Sequence, residues 1–286
     1  AVENMGIGTR GGFYDGVGTL RDMVQNHLAQ LLAVTAMEPP AAFDASGFRN
    51  EVVKVYQSLT PLTGEDIRHS VVRGQYMASE GRKGYREEEQ VPTLSRTETY
   101  LAMRLELNNW RWGGVPFYIR TGKQMPTKVS EIVIHFKPAP YSLFRCEGGT
   151  CPVPNRLVIR IQPNEGIVLR IGMKKPGEGF EVLPMDMDFS YAELGRLPTE
   201  DAYARLIEDC IAGDPTLFIR SDAVESGWRF FDPILKYWQD VPECPLYGYP
   251  AGSWGPLEAD SLMARHGASW TNPCKNLTNT HLYCEL

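Results

Sequence analysis

Glu131-Ile132-Val133-Ile134-His135-Phe136 and, further on, Arg156-Leu157-Val158-Ile159-Arg160-Ile161 alternate apolar and polar residues with a period of two. Successive side chains of a strand point to opposite faces, so runs of this kind read as half-buried strands. Further strand-like runs stand at Ser70 to Tyr76, Thr99 to Asn108, Pro116 to Arg120, Gly166 to Met173 and Glu181 to Tyr191. Together they predict a large, mostly antiparallel sheet. A sheet that is polar on one face buries the other against helices. Helical spacing is found from Thr19 to Met37, from Asp201 to Ala212 and from Ser221 to Trp238. The last opens on Ser221-Asp222 as an N-cap and carries Val224, Trp228, Phe231, Ile234 and Leu235 on one face despite Pro233. The expected class is α+β, with helices packed on one face of the sheet.

At 286 residues and 43% hydrophobic content the chain is long enough for a large core. No linker, low-complexity tract or internal repeat divides it, so one domain over 1–286 is expected. A net charge of −6 provides no basic field for nucleic acid or anionic lipid. No apolar run approaches the roughly 18 residues that span a bilayer, so neither nucleic acid nor membrane is expected as a partner. Ala1 opens a polar, glycine-rich segment unlike a signal peptide, and the lack of an initiator Met suggests a start within a longer protein. Cysteines at 146, 151, 210, 244, 274 and 284 show no CxxC spacing, which favours reduced thiols and a cytoplasmic location. The five histidines show no ligand spacing, so no metal is expected.

The first helix rests on Leu20, Met23, Val24, His27, Leu28, Leu31, Leu32 and Val34, and Pro39-Pro40 ends it. His27 shares this stripe with Met23 and Leu31, yet Asp22, Gln25, Asn26 and Gln30 ring the same turns. It reads either as a hydrogen-bonded core histidine or as a base at a pocket wall. Gly6-Ile7-Gly8-Thr9-Arg10-Gly11 matches GxGxxG but lacks the preceding strand that a dinucleotide loop needs, and reads as a mobile turn. The charged run from Glu80 to Gln90 reads as a solvated excursion. Val115 to Lys128 ends a strand in Gly122-Lys123, where the ammonium either closes on an anion such as phosphate or is solvated. Gln162, at another strand end, can donate and accept in a pocket. Glu3 and Arg160 are ordinary surface residues on a bare reading.

Eleven segments stand in one order: Gly11-Gly12-Phe13-Tyr14-Asp15, Arg21 to His27, Ala36-Met37-Glu38-Pro39, Gly74-Gln75-Tyr76, Gly114-Val115-Pro116-Phe117, Gly122-Lys123, Gln162-Pro163-Asn164-Glu165, Lys174-Lys175-Pro176-Gly177, Asp201-Ala202-Tyr203, Arg220-Ser221-Asp222 and Gly255-Pro256-Leu257-Glu258-Ala259-Asp260. They resemble the C-terminal part of the glucose-6-phosphate dehydrogenase family over nearly the whole chain. The resemblance implies that His27 is the general base taking the C1 hydroxyl proton of glucose 6-phosphate while hydride leaves for NADP. The product is 6-phosphogluconolactone, in the first step of the oxidative pentose phosphate pathway. It further implies that Glu3 and Asp22 bind sugar hydroxyls and that Lys123 belongs to the substrate site, with Gln162 close by. Five residues apart, Asp22 and His27 would stand about 140° round an α-helix, so the imidazole's orienting carboxylate is expected elsewhere. The family's arrangement puts it, with the nucleotide-binding fold, in an N-terminal domain expected ahead of Ala1, and this chain alone is expected to be inactive. Some family members hold a second, structural NADP beside the sheet. Arg160, Lys128 and Arg170 fall where its basic contacts lie, while Val168 replaces an aromatic ring there. A homodimer or homotetramer through the sheet is implied. The alternatives are a free-standing interaction or regulatory domain without catalysis and a phosphosugar-binding module.

Overall fold

The computed structural model describes residues 1–138, 154–177, 179, 181–191 and 202–273. Cys146, Cys151, Cys274, Cys284 and Asp201 lie outside them. In chain order the elements are α1 (Gly11–Thr19), a π-helical segment (Leu20–Leu28), α2 (Ala29–Ala36), α3 (Ala45–Gln57), α4 (Gly64–Ser70), β1 (Val71–Met77), β2 (Tyr100–Glu106), β3 (Pro116–Gly122), β4 (Ser130–His135), β5 (Arg156–Gln162), β6 (Gly166–Lys174), β7 (Val182–Ser190), α5 (Ala202–Ala212), α6 (Ser221–Asp240), β8 (Tyr247–Pro250) and α7 (Leu257–Ala264). The α+β class and the dominance of antiparallel pairing stand. The chain separates into two compact units, one of Val2–Pro126 with Thr199–Trp270 and one of Thr127–Pro198 with Thr271–Leu286 and Ala1. One feature differs from expectation. Instead of one sheet, the described strands form two of four strands each.

In the first unit the strand order is β3-β2-β1-β8, with β1 antiparallel to β2 and parallel to β8. β1 is buried from Val71 to Tyr76 and β2 from Tyr100 to Met103, as befits central strands covered on both faces. The helices α4 and α7 pack on these strands, and α3 packs on α6. α3 was not anticipated because its sequence is largely polar. It forms because Asp44 caps it, accepting the Gly47 N–H at 2.7 Å, and because Val52, Val53, Val55 and Tyr56 turn inward. α6 buries Phe230, Phe231, Ile234 and Trp238 but leaves Trp228 exposed.

In the second unit β4-β5-β6-β7 form an antiparallel meander. Registered pairs put Ile132, Ile159, Ile167 and Phe189 in one row and Ile134, Leu157, Leu169 and Met187 in the next, all on one face. On the opposite face Val158 and Val168 are buried between Arg–Asp pairs.

Candidate functional site

The site is built around the end of β3. Gly122 gives way to Lys123, whose side chain is 4% exposed. Only glycine fits at 122, since a Cβ there would lie 2.7 Å from Tyr100 Cδ2. The N-terminal segment runs beside this turn. Glu3 donates its N–H to the Gly122 carbonyl at 3.0 Å and accepts from the Met125 N–H at 2.8 Å. That pairing aims the Glu3 carboxylate at the Lys123 ammonium, which it binds directly. The ammonium also lies 3.4 Å from Asp22 Oδ2 and 5.3 Å from the centroid of the Tyr14 ring. A cation that has lost its water needs such partners, and the two carboxylates with the ring face supply them. With one ammonium and two carboxylates the cluster carries a net negative charge. It suits sugar hydroxyls, which donate to carboxylates and accept from the ammonium. Lys123 is therefore neither a solvated lysine nor a lone charge, being already paired with two carboxylates.

The segment Leu20–Leu28 presents Asp22, and it is a π-helix. Its i→i+5 bonding continues to Ala29, whose N–H donates to the Val24 carbonyl. Each residue therefore turns less about the axis than in an α-helix. The 140° offset expected between Asp22 and His27 does not hold, because that figure belongs to α-helical pitch. His27 also leaves the buried stripe. Leu20, Val24 and Leu28 are buried, whereas His27 is exposed, with Nε2 3.3 Å from Asn26 Nδ2. Asp22 and Asn26 line a cleft of about 660 Å³, where Gln25 donates to Asp232 at 2.8 Å.

The groups that hold this cluster were not singled out in the sequence. Tyr14 is 3% exposed, and burial pushes its phenol well above the usual range against the lowering effect of its Thr19 hydrogen bond. The Tyr249 hydroxyl donates to the Lys123 carbonyl at 2.7 Å. Glu98 accepts the Leu20 N–H at 2.9 Å. Only Tyr14 had any signal, as part of a motif of the resemblance. Glu98 and Tyr249 come from strand edges whose local sequence carries none.

The glycine-rich start is packed rather than mobile. Gly8–Arg10 form a 3-10 turn and α1 opens at Gly11. A Cβ at Gly6 would lie 2.5 Å from Glu88 Oε1, and one at Gly11 would run into the Glu89 carbonyl. The glycines admit the chain's own Glu88-Glu89, so a phosphate has no room there. The charged run is likewise not a solvated excursion throughout, since Tyr85 is fully buried and Glu88 accepts from the Tyr76 hydroxyl at 2.9 Å.

The remaining candidates lie in the second unit. Gln162 is exposed at the end of β5, where its bond to Pro163 is cis. Arg160 grips Asp188 with both terminal nitrogens and also donates to the Phe189 carbonyl at 3.2 Å. Arg170 grips Asp186 through two bonds of 2.7 Å. These charge-assisted forks already spend both guanidinium groups on carboxylates, and Val168 between them is 2% exposed. Lys128 is an exposed lysine. Of the three residues assigned to a structural NADP, Arg160 and Arg170 are thus engaged by the chain's own carboxylates. Among the described residues no group of histidine, cysteine and acidic side chains could hold a metal, and no helix is long and apolar enough to cross a membrane.

Residues 1–271 match the family described as glucose-6-phosphate dehydrogenase, C-terminal domain. A glucose-6-phosphate 1-dehydrogenase of Aggregatibacter actinomycetemcomitans is 52% identical over 276 residues, which are 95% of this chain and 55% of that protein. One from Treponema pallidum is 46% identical across 100% of this chain and 56% of its own length. Among solved structures, a glucose-6-phosphate dehydrogenase in complex with its substrate glucose-6-phosphate superposes with a TM-score of 0.85 at 34% identity, covering 95% of this chain and 55% of that one. The enzyme from Mycobacterium avium does so with a TM-score of 0.78 at 38% identity, covering 96% of this chain and 55% of that one. The chain thus spans about half the length of the relatives it matches.

Proposed function

The chain belongs to the glucose-6-phosphate dehydrogenase family, as its C-terminal domain, and from that premise we propose that it supplies the sugar side of an NADP-linked glucose-6-phosphate 1-dehydrogenase. One observation carries the reading: a buried ammonium, Lys123, is joined to Glu3 and Asp22, and Asp22's own π-helical segment also carries an exposed imidazole. Three distant stretches of chain meet there, which packing alone does not require. Glu3 and Asp22 accept hydrogen bonds from sugar hydroxyls, and Lys123 fixes the two carboxylates while donating to the ring. His27 takes the C1 hydroxyl proton. Expelling hydride from a carbinol carbon becomes easier as that proton leaves, and imidazole is the side chain suited to accept it near neutrality. NADP, when bound, accepts the hydride in this family. What this chain's residues contribute on this reading is substrate binding and proton removal. Gln162 is assigned to the substrate site on the resemblance alone.

Calorimetric titration of the chain with glucose 6-phosphate tests the binding half of this reading, and no heat at millimolar sugar would remove it. Expression behind a matched nucleotide-binding half tests the chemistry. There His27→Asn should lower kcat by about a hundredfold or more with KM little changed, as expected for a lost general base. Equal rates would end the assignment.

Association through the second unit's sheet belongs to the same reading. Met185, Met187, Phe189 and Ile167 are 44%, 60%, 39% and 38% exposed on one apolar face, which a second copy of the chain would cover.

A further inference from the structure

Glu98 is a carboxylate that the sugar cluster does not use. It is 5% exposed, and burial raises its carboxyl above the usual range, against the lowering effect of the Leu20 N–H. A group so expensive to bury must be tied to something, and its bonds show what. Oε1 accepts the Leu20 N–H at 2.9 Å. Its carbonyl accepts from the Thr19 N–H at 3.1 Å and from the Thr19 hydroxyl at 3.0 Å. The next residue faces the other way: the Thr99 carbonyl accepts the Lys123 N–H at 2.9 Å, and Thr99 Oγ1 lies 3.2 Å from the Tyr249 hydroxyl that holds the Lys123 carbonyl. Two adjacent residues therefore grip the start of the segment carrying Asp22 and the backbone carrying Lys123.

Gly18 makes room for this grip. With φ 74° and ψ 168° it breaks the helical path, and a Cβ there would lie 2.5 Å from Glu98 Oε1. The carboxylate occupies the place at which the segment begins anew, satisfying an amide that a helix N-terminus leaves without a partner. A helix entered one residue out of step rotates every side chain about its axis, which would carry Asp22 away from Lys123. We propose that Glu98 is a positioning residue, whose carboxylate caps the π-helical segment at Leu20 and so fixes Asp22 and His27 relative to Lys123.

The ligand in the following test rests on the substrate reading above; the register does not. Amide hydrogen exchange over Leu20–Leu28 and glucose 6-phosphate calorimetry are compared for the parent, Glu98→Ala, Glu98→Gln, Gly18→Ala and Leu262→Ala, a core change in α7. Losing a cap of ordinary strength should reduce protection at Leu20 and sugar affinity about tenfold in Glu98→Ala and in Gly18→Ala. Glu98→Gln keeps the acceptor oxygen and should restore both to within about threefold, while Leu262→Ala lowers Tm with affinity intact. Unchanged protection or affinity in Glu98→Ala overturns the proposal, as does an equal loss of affinity in Leu262→Ala. Should Glu98→Ala not fold, Glu98→Asp, one methylene short of the Leu20 amide, replaces it. If the parent binds no sugar, the substrate reading falls, and a crystal structure of the variant decides the register: an Asp22–Lys123 contact kept at 3.4 Å overturns the proposal, and a lost contact supports it.

Discussion

Lys123 joins a carboxylate 120 positions earlier in the chain to one on a separate helical segment, so its removal tests the cluster most directly. Lys123→Met leaves Glu3 and Asp22 facing each other without a cation. Breaking a sealed pair costs about 3–5 kcal/mol, but these carboxylates are 26% and 32% exposed and water offsets part of the loss. A fall of about 1–2 kcal/mol in urea unfolding is expected, and no change would show the cluster to be energetically idle. Glu98 contributes a pH dependence of definite sign. Burial raises its folded pKa above the unfolded value, so the folded chain holds the proton more tightly. The parent's stability relative to Glu98→Gln should then fall as pH rises from the ordinary carboxylate range through the raised folded value, and level off above it. A difference that stays flat from pH 4 to 8 would contradict a buried, raised carboxyl. Asp186 behaves in the opposite way. Its hydrogen bonds from Arg170 lower its pKa, so its contribution is present above the ordinary carboxylate range and is lost as pH falls through the lowered value.

Among the elements, β1 to β7 were legible because alternation or an apolar run reports burial directly, and their limits agree with expectation to within a few residues. The first helix was legible as a helix but not in its pitch. Leu20, Val24 and Leu28 suit a π-helix as readily as an α-helix, and nothing local in sequence announces a carboxylate that arrives from Glu98. For the same reason His27 was expected on the buried face. Asp22 and Lys123 were named from motifs and Glu3 from the resemblance alone, whereas their neighbourhood was not, since β3, the N-terminal segment and the π-helical segment meet only through tertiary packing. α7 and β8 went unread because eight and four residues carry too little periodicity. Gly122 marks the point at which element geometry limits the site. Gly122→Ala should cost about 1–3 kcal/mol, the usual penalty for overpacking, because its Cβ meets the Tyr100 ring at 2.7 Å and Met125 Sδ at 3.1 Å. Thermal melting reads this out. An unchanged Tm would mean that the Tyr100 ring yields freely, contrary to its 0% exposure.

At the scale of the whole molecule the second unit leaves a feature that folding of the described residues does not account for. Four rows of paired apolar side chains, from Ile167 opposite Phe189 to Met173 opposite Leu183, cross β6 and β7 on a single face. Solitary exposed apolar residues are ordinary, but a contiguous face of them marks a contact surface. The charged face behind it is finished, with Arg160 and Arg170 paired to Asp188 and Asp186. The asymmetry favours a second copy of the chain over water as the occupant of the apolar face, because a face can match itself across a two-fold axis. A stable pair buries about 800 Å² on each partner, within reach of a four-stranded face. Met187→Asp, at the 60% exposed position in the middle of β7, puts a charge where the two copies would meet while leaving the monomer core untouched. Light scattering should find the parent dimeric or larger at micromolar concentration and the variant shifted to monomer. Its dissociation constant should be raised a hundredfold or more, as roughly 3 kcal/mol for an unpaired interfacial charge implies. An equally massive variant, or a parent that is monomeric at every concentration, would remove the sheet from the interface and leave its apolar rows to be covered by another part of a longer protein.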